Sequence, residues 1–82
     1  MVMAADRVRG RPLPLLRRWR ESKYLTQTEL ADKAGVTRST VTRGERGEVV
    51  GFPSIRKLAE ALGLTPDELV YTDPDAADAG GV

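Results

Sequence analysis

The stretch "TQTELADKAGVTRSTVTRG", residues 26–44, contains two helix starts separated by a single turn, and this arrangement decides the fold. Thr26 precedes Glu29 by three residues, the spacing of a capping box, in which each side chain accepts the other residue's backbone N–H. Gly35 supplies the left-handed residue that ends a helix. Only one residue separates that glycine from Thr37, which can cap a second helix. Two helices joined by so short a turn must cross at a steep angle.

The second helix of this pair has a polar face of unusual composition. Its apolar side carries Val41 and Gly44, although an interior glycine costs about 1 kcal/mol relative to alanine. With about 100° per residue, five polar side chains fall within an arc of about 140° on the other side. They are Arg38, Ser39, Thr42, Arg43 and Arg46. The face therefore presents short hydroxyl groups between guanidinium groups.

Such a face suits the major groove of DNA. Arginine can donate two parallel hydrogen bonds to the O6 and N7 atoms of guanine, and serine and threonine hydroxyls can bond to bases or phosphates. The face has no carboxylate, imidazole or thiol for catalysis, so we do not expect an enzyme. The alternative interpretation of the same composition is an ordinary solvated helix surface.

Length and composition narrow the remaining classes of protein. A chain of 82 residues is one small domain. It contains no cysteine and no histidine, which excludes disulfides and thiolate or imidazole metal sites, and we expect no cofactor. No apolar run approaches the ~20 residues that cross a bilayer. We therefore predict a cytoplasmic protein.

The charge is distributed unevenly along the chain. Residues 7–57 hold all 13 Lys and Arg residues and five acids, a charge of +8, whereas the remaining residues hold seven acids and no base, a charge of −7. A basic body indicates a polyanionic partner. Solvation of a small surface would explain the same charges, so this pattern alone does not decide between them.

Three further helices are predicted outside the central pair, and no strand. Pro12 or Pro14 can begin the first of them, because the first turn of a helix does not need the missing N–H. The last repeats the Thr-x-x-Glu capping signal. The sequence thus predicts an all-α domain of five short helices over residues 12–71, between a flexible basic arm (1–11) and a disordered acidic tail (72–82). The additional helices are "LPLLRRWRESK" (13–23), "PSIRKLAEALG" (53–63) and "LTPDELVY" (64–71).

The series of short motifs from Leu16 to Val70 resembles the Cro-type helix-turn-helix proteins of bacteria and phages, also called lambda-repressor-like or XRE proteins. No single motif is specific, but their order and spacing are. The motifs are Leu25-Thr26-Gln27, Glu29-Leu30-Ala31, Ala34-Gly35-Val36, Ser39, Val41, Glu45-Arg46-Gly47 and Leu58-Ala59. The resemblance implies a DNA-binding fold in which residues 27–33 lie across the phosphate backbone and residues 38–45 enter the major groove.

The resemblance also implies a set of contact residues. It pairs Arg20 with Glu45 in a structural ion pair. The residues expected to contact base edges are Arg38, Ser39, Thr42 and Arg43. The residues assigned to phosphate contacts are Gln27, Thr26, Thr37, Thr40, Arg46 and Ser54.

Two positions depart from the family pattern. Gly44 stands where the family generally has a bulky apolar residue, and we expect a large neighbour, with Trp19 the leading candidate, to fill the space. Alternatively, the glycine ends the helix early and weakens the hold of Arg46 on DNA. The loop "EVVGFP" (48–53) is slightly shorter than usual. We expect its apolar residues to pack over the core, although a protein-contact patch is the alternative; they are Val49, Val50 and Phe52.

The sequence therefore predicts a transcriptional regulator, a repressor, that binds double-stranded DNA. The family implies a homodimer on a palindromic operator, because one module contacts one half-site. Residues near the last helix that could form the dimer contact are Leu64, Leu69 and Tyr71. Two alternatives remain open: an antitoxin that binds its own promoter and a toxin protein, and a protein-binding helical adaptor without DNA binding.

Overall fold

A computed structural model describes residues 9–76 of the chain, which contain five helices of at least six residues and a two-stranded sheet. Residues 74–76 form one more helical turn. The helices are α1 Leu16–Ser22, α2 Gln27–Ala34, α3 Arg38–Glu45, α4 Phe52–Leu62 and α5 Pro66–Tyr71, and the strands are β1 Gly10–Pro12 and β2 Val49–Gly51. The predicted helix-turn-helix architecture is confirmed. Across residues 9–76, every helix is too short or too polar to cross a bilayer.

The capping signals place the helices as predicted. In α2, the Thr26 hydroxyl accepts the N–H of Glu29, and the Glu29 carboxylate accepts the N–H of Thr26. Gly35 follows with a φ of 74°, the left-handed conformation that ends the helix. The Thr37 hydroxyl accepts the N–H of Thr40 and so begins α3. Short side-chain hydrogen bonds therefore define the two helices and the turn between them.

The start of α1 differs from the prediction. Leu15 occupies its N-cap position, and the helix begins at Leu16, so neither Pro12 nor Pro14 stands at the first helical residue. Pro12 lies in β1 instead. A proline suits a strand at the edge of a sheet, because it has no N–H to donate to a second neighbour.

The prediction that the domain has no strand was wrong. Residues 10–12 pair antiparallel with residues 49–51, with Arg11 opposite Val50, and the N–H of Phe52 donates to the carbonyl of Arg9 at 2.9 Å. Three-residue strands are too short to show an alternating pattern in the sequence. The flexible arm predicted for residues 1–11 is therefore wrong for residues 10 and 11, and residues 1–8 lie outside the described part of the chain.

The core joins all five helices and β2. Gly44 lies at its centre, where a Cβ atom would come within 3.1 Å of Leu16 Cδ2, 3.2 Å of Val50 Cγ2 and 3.5 Å of Leu13 Cδ1. The expectation that Trp19 fills this space was wrong, because Val50 and the N-terminal leucines occupy it. Helix α3 also continues beyond the glycine to Glu45 rather than ending early. The buried side chains are Leu13, Leu16, Trp19, Leu30, Ala31, Val41, Val50, Ile55, Leu58, Ala59, Leu62 and Leu69.

Trp19 has a different partner. Its indole N–H donates to the carbonyl of Thr72 at 2.8 Å, next to an ion pair between Arg18 and Asp73, and Pro74 is buried. The disorder predicted for residues 72–82 is thus wrong for residues 72–76, and residues 77–82 lie outside the described part. The first part of the acidic tail packs on α1 because an indole N–H and a guanidinium group are available there.

The loop after α3 divides its apolar residues between the core and the surface. Val50 is buried, as predicted, whereas Val49 and Phe52 are 52% and 37% exposed. Of the residues considered for a dimer contact, Leu69 is fully buried, Leu64 packs against the core, and Tyr71 is 64% exposed.

Candidate nucleic-acid interface

The outer face of α3 forms a basic concave surface. The helix is held on its inner side by Val41 and Gly44, both buried, so its opposite side faces solvent. There, one half-buried threonine and four exposed side chains line a concavity of about 340 Å³. The lining residues are Arg38, Ser39, Thr42, Arg43 and Arg46. The structure thus brings together all four residues assigned to base contacts, and Arg46 with them.

Two of these arginines share one exposed carboxylate. Arg43 Nε lies 3.6 Å from Glu48 Oε1, and Arg46 Nη1 lies 3.9 Å from Glu48 Oε2. Arg43 also donates to the carbonyl of Val49 at 3.4 Å. Exposed ion pairs of this kind contribute about 0–1 kcal/mol. The guanidinium groups can therefore exchange Glu48 for a phosphate or a base at little cost.

Beneath this face, a nearly buried ion pair fixes the end of α3 to α1. Arg20 donates from Nε to Glu45 Oε2 at 2.6 Å and from Nη2 to Glu45 Oε1 at 3.2 Å, and the side chains are 12% and 7% exposed. A third bond runs from Arg20 Nη1 to the carbonyl of Leu25 at 2.7 Å. The hydrogen bond to Glu45 raises the pKa of Arg20 against the opposing effect of burial. The ion pair therefore favours the charged form of the guanidinium group.

Gln27 connects this ion pair to the polar face. Its Nε2 donates to Glu45 Oε1 at 3.0 Å, and its Oε1 accepts the Thr42 hydroxyl at 3.2 Å. Sequence reasoning assigned Gln27 to a phosphate and missed this bridge. The spacing of Thr42 and Glu45, three residues apart on α3, was the available signal, because such residues lie on one side of a helix. A phosphate contact by Gln27 stays a prediction.

Arg46 is the C-cap residue of α3, and the remaining residues assigned to phosphates lie at helix N-termini. Thr26 caps α2, and Thr37 caps α3, where its hydroxyl is also 3.0 Å from that of Thr40. Ser54 is half-buried in the first turn of α4, outside the residues that line the concavity. Helix N-termini present free N–H groups and the positive end of the helix dipole, which favour anions. Within residues 9–76, no cluster of His, Cys, Asp and Glu residues could hold a metal ion.

Comparisons with known proteins agree with this geometry. A helix-turn-helix family model matches residues 16–69, about two-thirds of the chain. Among solved structures, the restriction-modification controller protein C.AhdI from Aeromonas hydrophila is 44% identical, with a TM-score of 0.64, over 68% of this chain and 86% of that one. The hypothetical transcription factor NHTF from Neisseria is 31% identical, also with a TM-score of 0.64, over 78% and 74%. A search of curated proteins gave no match.

The family match spans every helix that supports the basic face, and both structural relatives exceed 30% identity across at least two-thirds of the chain. The helix-turn-helix family and both regulator relatives indicate a DNA-binding protein rather than an enzyme. The chain belongs to the helix-turn-helix family, and it is a DNA-binding transcriptional regulator of the Cro/C1 type.

Proposed function

We propose that the protein reads a specific operator by inserting α3 into the major groove. Arg38, Ser39, Thr42 and Arg43 contact the base edges, while Arg46 and the helix N-termini at Thr26 and Thr37 hold phosphates. The observation that carries the proposal is the concavity of α3, in which hydroxyl and guanidinium groups stand together and open to solvent. Groups of this kind supply both the hydrogen bonds that distinguish bases and the charge that binds the backbone.

The rigidity of the face supports sequence-specific reading. Helix α3 is anchored by the Arg20–Glu45 pair at its end and by the Thr37 cap at its start. Because base discrimination needs donors and acceptors in fixed positions, a helix held at both ends suits it better than a mobile segment would. Arginines that are only weakly engaged, such as Arg43, stay free to reach the bases.

We further propose that the protein binds a palindromic operator as a homodimer and represses transcription from it. One module reads a single half-site, and two-fold symmetry of the operator matches a two-fold dimer. Selection of bound duplexes from a random pool tests this arrangement directly. We expect two inverted half-sites at a fixed spacing, and a single unpaired site would contradict the dimer. Repression is tested by reporter expression from the selected operator, where an increase would overturn it.

Arg43 and Lys33 form a matched pair for testing the base contacts. Both are exposed cations, but Lys33 lines a separate concavity with Lys23 and Glu60. We expect Arg43→Ala to weaken binding to the selected operator by about 1–3 kcal/mol and to relax one base preference. Lys33→Ala removes the same charge and should leave base preference unchanged. Equal losses for Arg43→Ala on specific and random duplexes would contradict a base contact.

Gln27 provides the contrasting test of a backbone contact. If Gln27 acts on DNA through a phosphate alone and not through its bond to Thr42, Gln27→Ala should weaken binding to every duplex by a similar factor, because phosphates are the same at each sequence. The measurement is the ratio of affinities for specific and random DNA across a salt series. A ratio that changes would show that Gln27 acts on the base contacts instead.

Control of a restriction–modification gene pair is a more specific candidate function. The 44% identity to the controller C.AhdI across 68% of the chain favours it. The prediction is that the selected operator lies upstream of restriction and methylation genes, which inspection of the encoding locus tests. Antitoxin and adaptor functions stay predictions. The adaptor is tested by the same selection, because it would enrich no DNA sequence.

A further inference from the structure

The hydrogen bonds beneath α3 form a chain with one direction, from Arg20 through Glu45 and Gln27 to Thr42. The guanidinium group of Arg20 has only donors, and it engages both oxygens of Glu45. A carboxylate has only acceptors, so Gln27 must turn its NH₂ group, at 3.0 Å, toward Glu45. The amide carbonyl then faces Thr42, whose hydroxyl donates to it at 3.2 Å. At each step, the preceding group determines which atom donates the hydrogen bond and which accepts it.

We propose that this chain makes Thr42 an acceptor toward DNA and thereby sets the base that it selects. A hydroxyl has one hydrogen, and that of Thr42 is used inside the protein. Only its oxygen lone pairs remain for the concavity that Thr42 lines. In the major groove, adenine N6 and cytosine N4 are donors, whereas guanine O6 and N7 and thymine O4 are acceptors. Thr42 therefore favours adenine or cytosine at its position and disfavours guanine or thymine.

The neighbouring hydroxyl shows why this applies to Thr42 in particular. Ser39 lines the same concavity, but within residues 9–76 its hydroxyl makes no hydrogen bond to another side chain. It can rotate to donate or to accept and so tolerates either kind of base. Thr42 is half-buried against Gln27, and Gln27 is itself held by Glu45. The two hydroxyls on one face thus differ in polarity because only one is connected to the internal ion pair.

The inference rests on the proposed reading of DNA by α3, and its first test alters the DNA base and leaves Gln27 in place. Selection with the wild type and with Thr42→Val identifies the operator position whose preference depends on the hydroxyl. That base is then replaced by the same base without its exocyclic amino group, purine for adenine or pyrimidin-2-one for cytosine. We expect the wild type to lose about two- to tenfold in affinity, the usual range for one neutral hydrogen bond. Thr42→Val should be indifferent to the replacement.

The second test removes the polarity without removing the hydroxyl. Gln27→Met keeps the length of the side chain but lacks the amide, so the Thr42 hydroxyl becomes free to donate. We expect the preference for adenine or cytosine over guanine or thymine at that position to fall to within about twofold, while the preferences at other positions persist. Ser39→Ala is the control, and it should change a different position. Melting curves verify that each variant is folded.

Several outcomes overturn the inference. One is a preference for guanine at the Thr42 position. Another is a preference for thymine that survives in Thr42→Val, because valine keeps the methyl group that can contact thymine. A third is an unchanged affinity of the wild type for the base that lacks its amino group. No effect of Thr42→Val at any position also overturns it. Failure of the proposed function has a different signature, because the selection then enriches no sequence at all. A protein that binds its operator specifically but ignores the amino group refutes the polarity alone.

Discussion

Gly44 lies where α3 touches α1 and β2, and the close packing there gives a prediction. A Cβ atom at this position would already stand 3.1 Å from Leu16 and 3.2 Å from Val50. Overpacking costs about 1–3 kcal/mol, against about 1 kcal/mol gained by removing a glycine from a helix interior. We expect Gly44→Leu to lower the free energy of unfolding by up to about 2 kcal/mol, measured by thermal and urea denaturation. Gly44→Ala separates the two effects, and a higher melting temperature for the leucine variant would show that the space is empty.

Tyr24 shows the opposite situation, a residue in a conformation that suits glycine. It follows α1 with a φ of 58° and is 92% exposed. The left-handed conformation costs a residue with a Cβ about 1–2 kcal/mol. Glycine removes that cost, but it also makes the unfolded chain more flexible, which offsets part of the gain in stability. We expect Tyr24→Gly to raise the free energy of unfolding by about 0.5–1 kcal/mol. Tyr24→Ala removes the same exposed ring but keeps the Cβ, so an equal gain in that variant would refute the strain.

At the scale of the element, Gly10 and Gly51 are paired across the β1–β2 ribbon, and the ribbon depends on Gly10. A Cβ on Gly10 would lie 2.6 Å from both Val49 Cγ1 and the carbonyl oxygen of Val50, whereas a Cβ on Gly51 would meet only Pro53 Cδ at 3.8 Å. We expect Gly10→Ala to cost about 1–3 kcal/mol and Gly51→Ala less than about 0.5 kcal/mol. Hydrogen exchange at the N–H of Phe52, which bonds to Arg9, should accelerate in Gly10→Ala alone.

The elements that the sequence predicted well are those defined by local signals. Thr26, Gly35 and Thr37 act through bonds within a few residues, so their spacing is visible in the sequence. The ribbon joins residues about forty positions apart, and nothing near Gly10 or Val49 records that pairing. The occupant of the space at Gly44 was mispredicted for the same reason, because Leu13 and Leu16 are far from Val50 in the sequence and meet it only in the folded domain.

The candidate site divides in a similar way. The four residues proposed to contact bases lie within two turns of one helix, so the periodicity of 3.6 residues was sufficient to group them. The bridge from Gln27 to Glu45 and Thr42 crosses between two helices and depends on their crossing angle. Sequence spacing does not give that angle to the accuracy of a hydrogen bond. The bridge is therefore visible only in the structure, and the phosphate contact of Gln27 stays a prediction.

For the whole molecule, the first residues of the acidic tail, 72–76, are part of the folded structure. A chain ending at residue 71 would lose the carbonyl of Thr72 that accepts the Trp19 indole N–H, and with it the buried Pro74. We expect this truncation to lower the free energy of unfolding by about 1–2 kcal/mol. A chain ending at residue 76 keeps these contacts and is the control. Equal stability of the two truncated chains would show that the anchoring contributes nothing.

The contacts of Asp73 in the same segment predict that its contribution to stability depends on pH. The backbone N–H of Asp75 and, to a smaller extent, the Arg18 guanidinium lower the pKa of Asp73 below its ordinary value of 3.8. A carboxylate whose pKa is lowered by folding stabilises the fold at pH values above its pKa in the unfolded chain. That stabilisation is lost as the pH falls through its pKa in the folded chain. The difference in stability between the full chain and the chain ending at residue 71 should therefore narrow below about pH 3.8. A difference that widens in acid would contradict this.

The ribbon also determines where the domain can be cut. A fragment designed from the family match would begin near residue 16, and one designed from the domain predicted over residues 12–71 would begin at residue 12. Either would remove Gly10 and Arg11, leave the backbone of β2 without its neighbour, and uncover an apolar strand edge directly after α3. Such an edge invites pairing with another chain. We therefore expect chains that lack the first strand to aggregate under conditions in which the intact chain stays monodisperse.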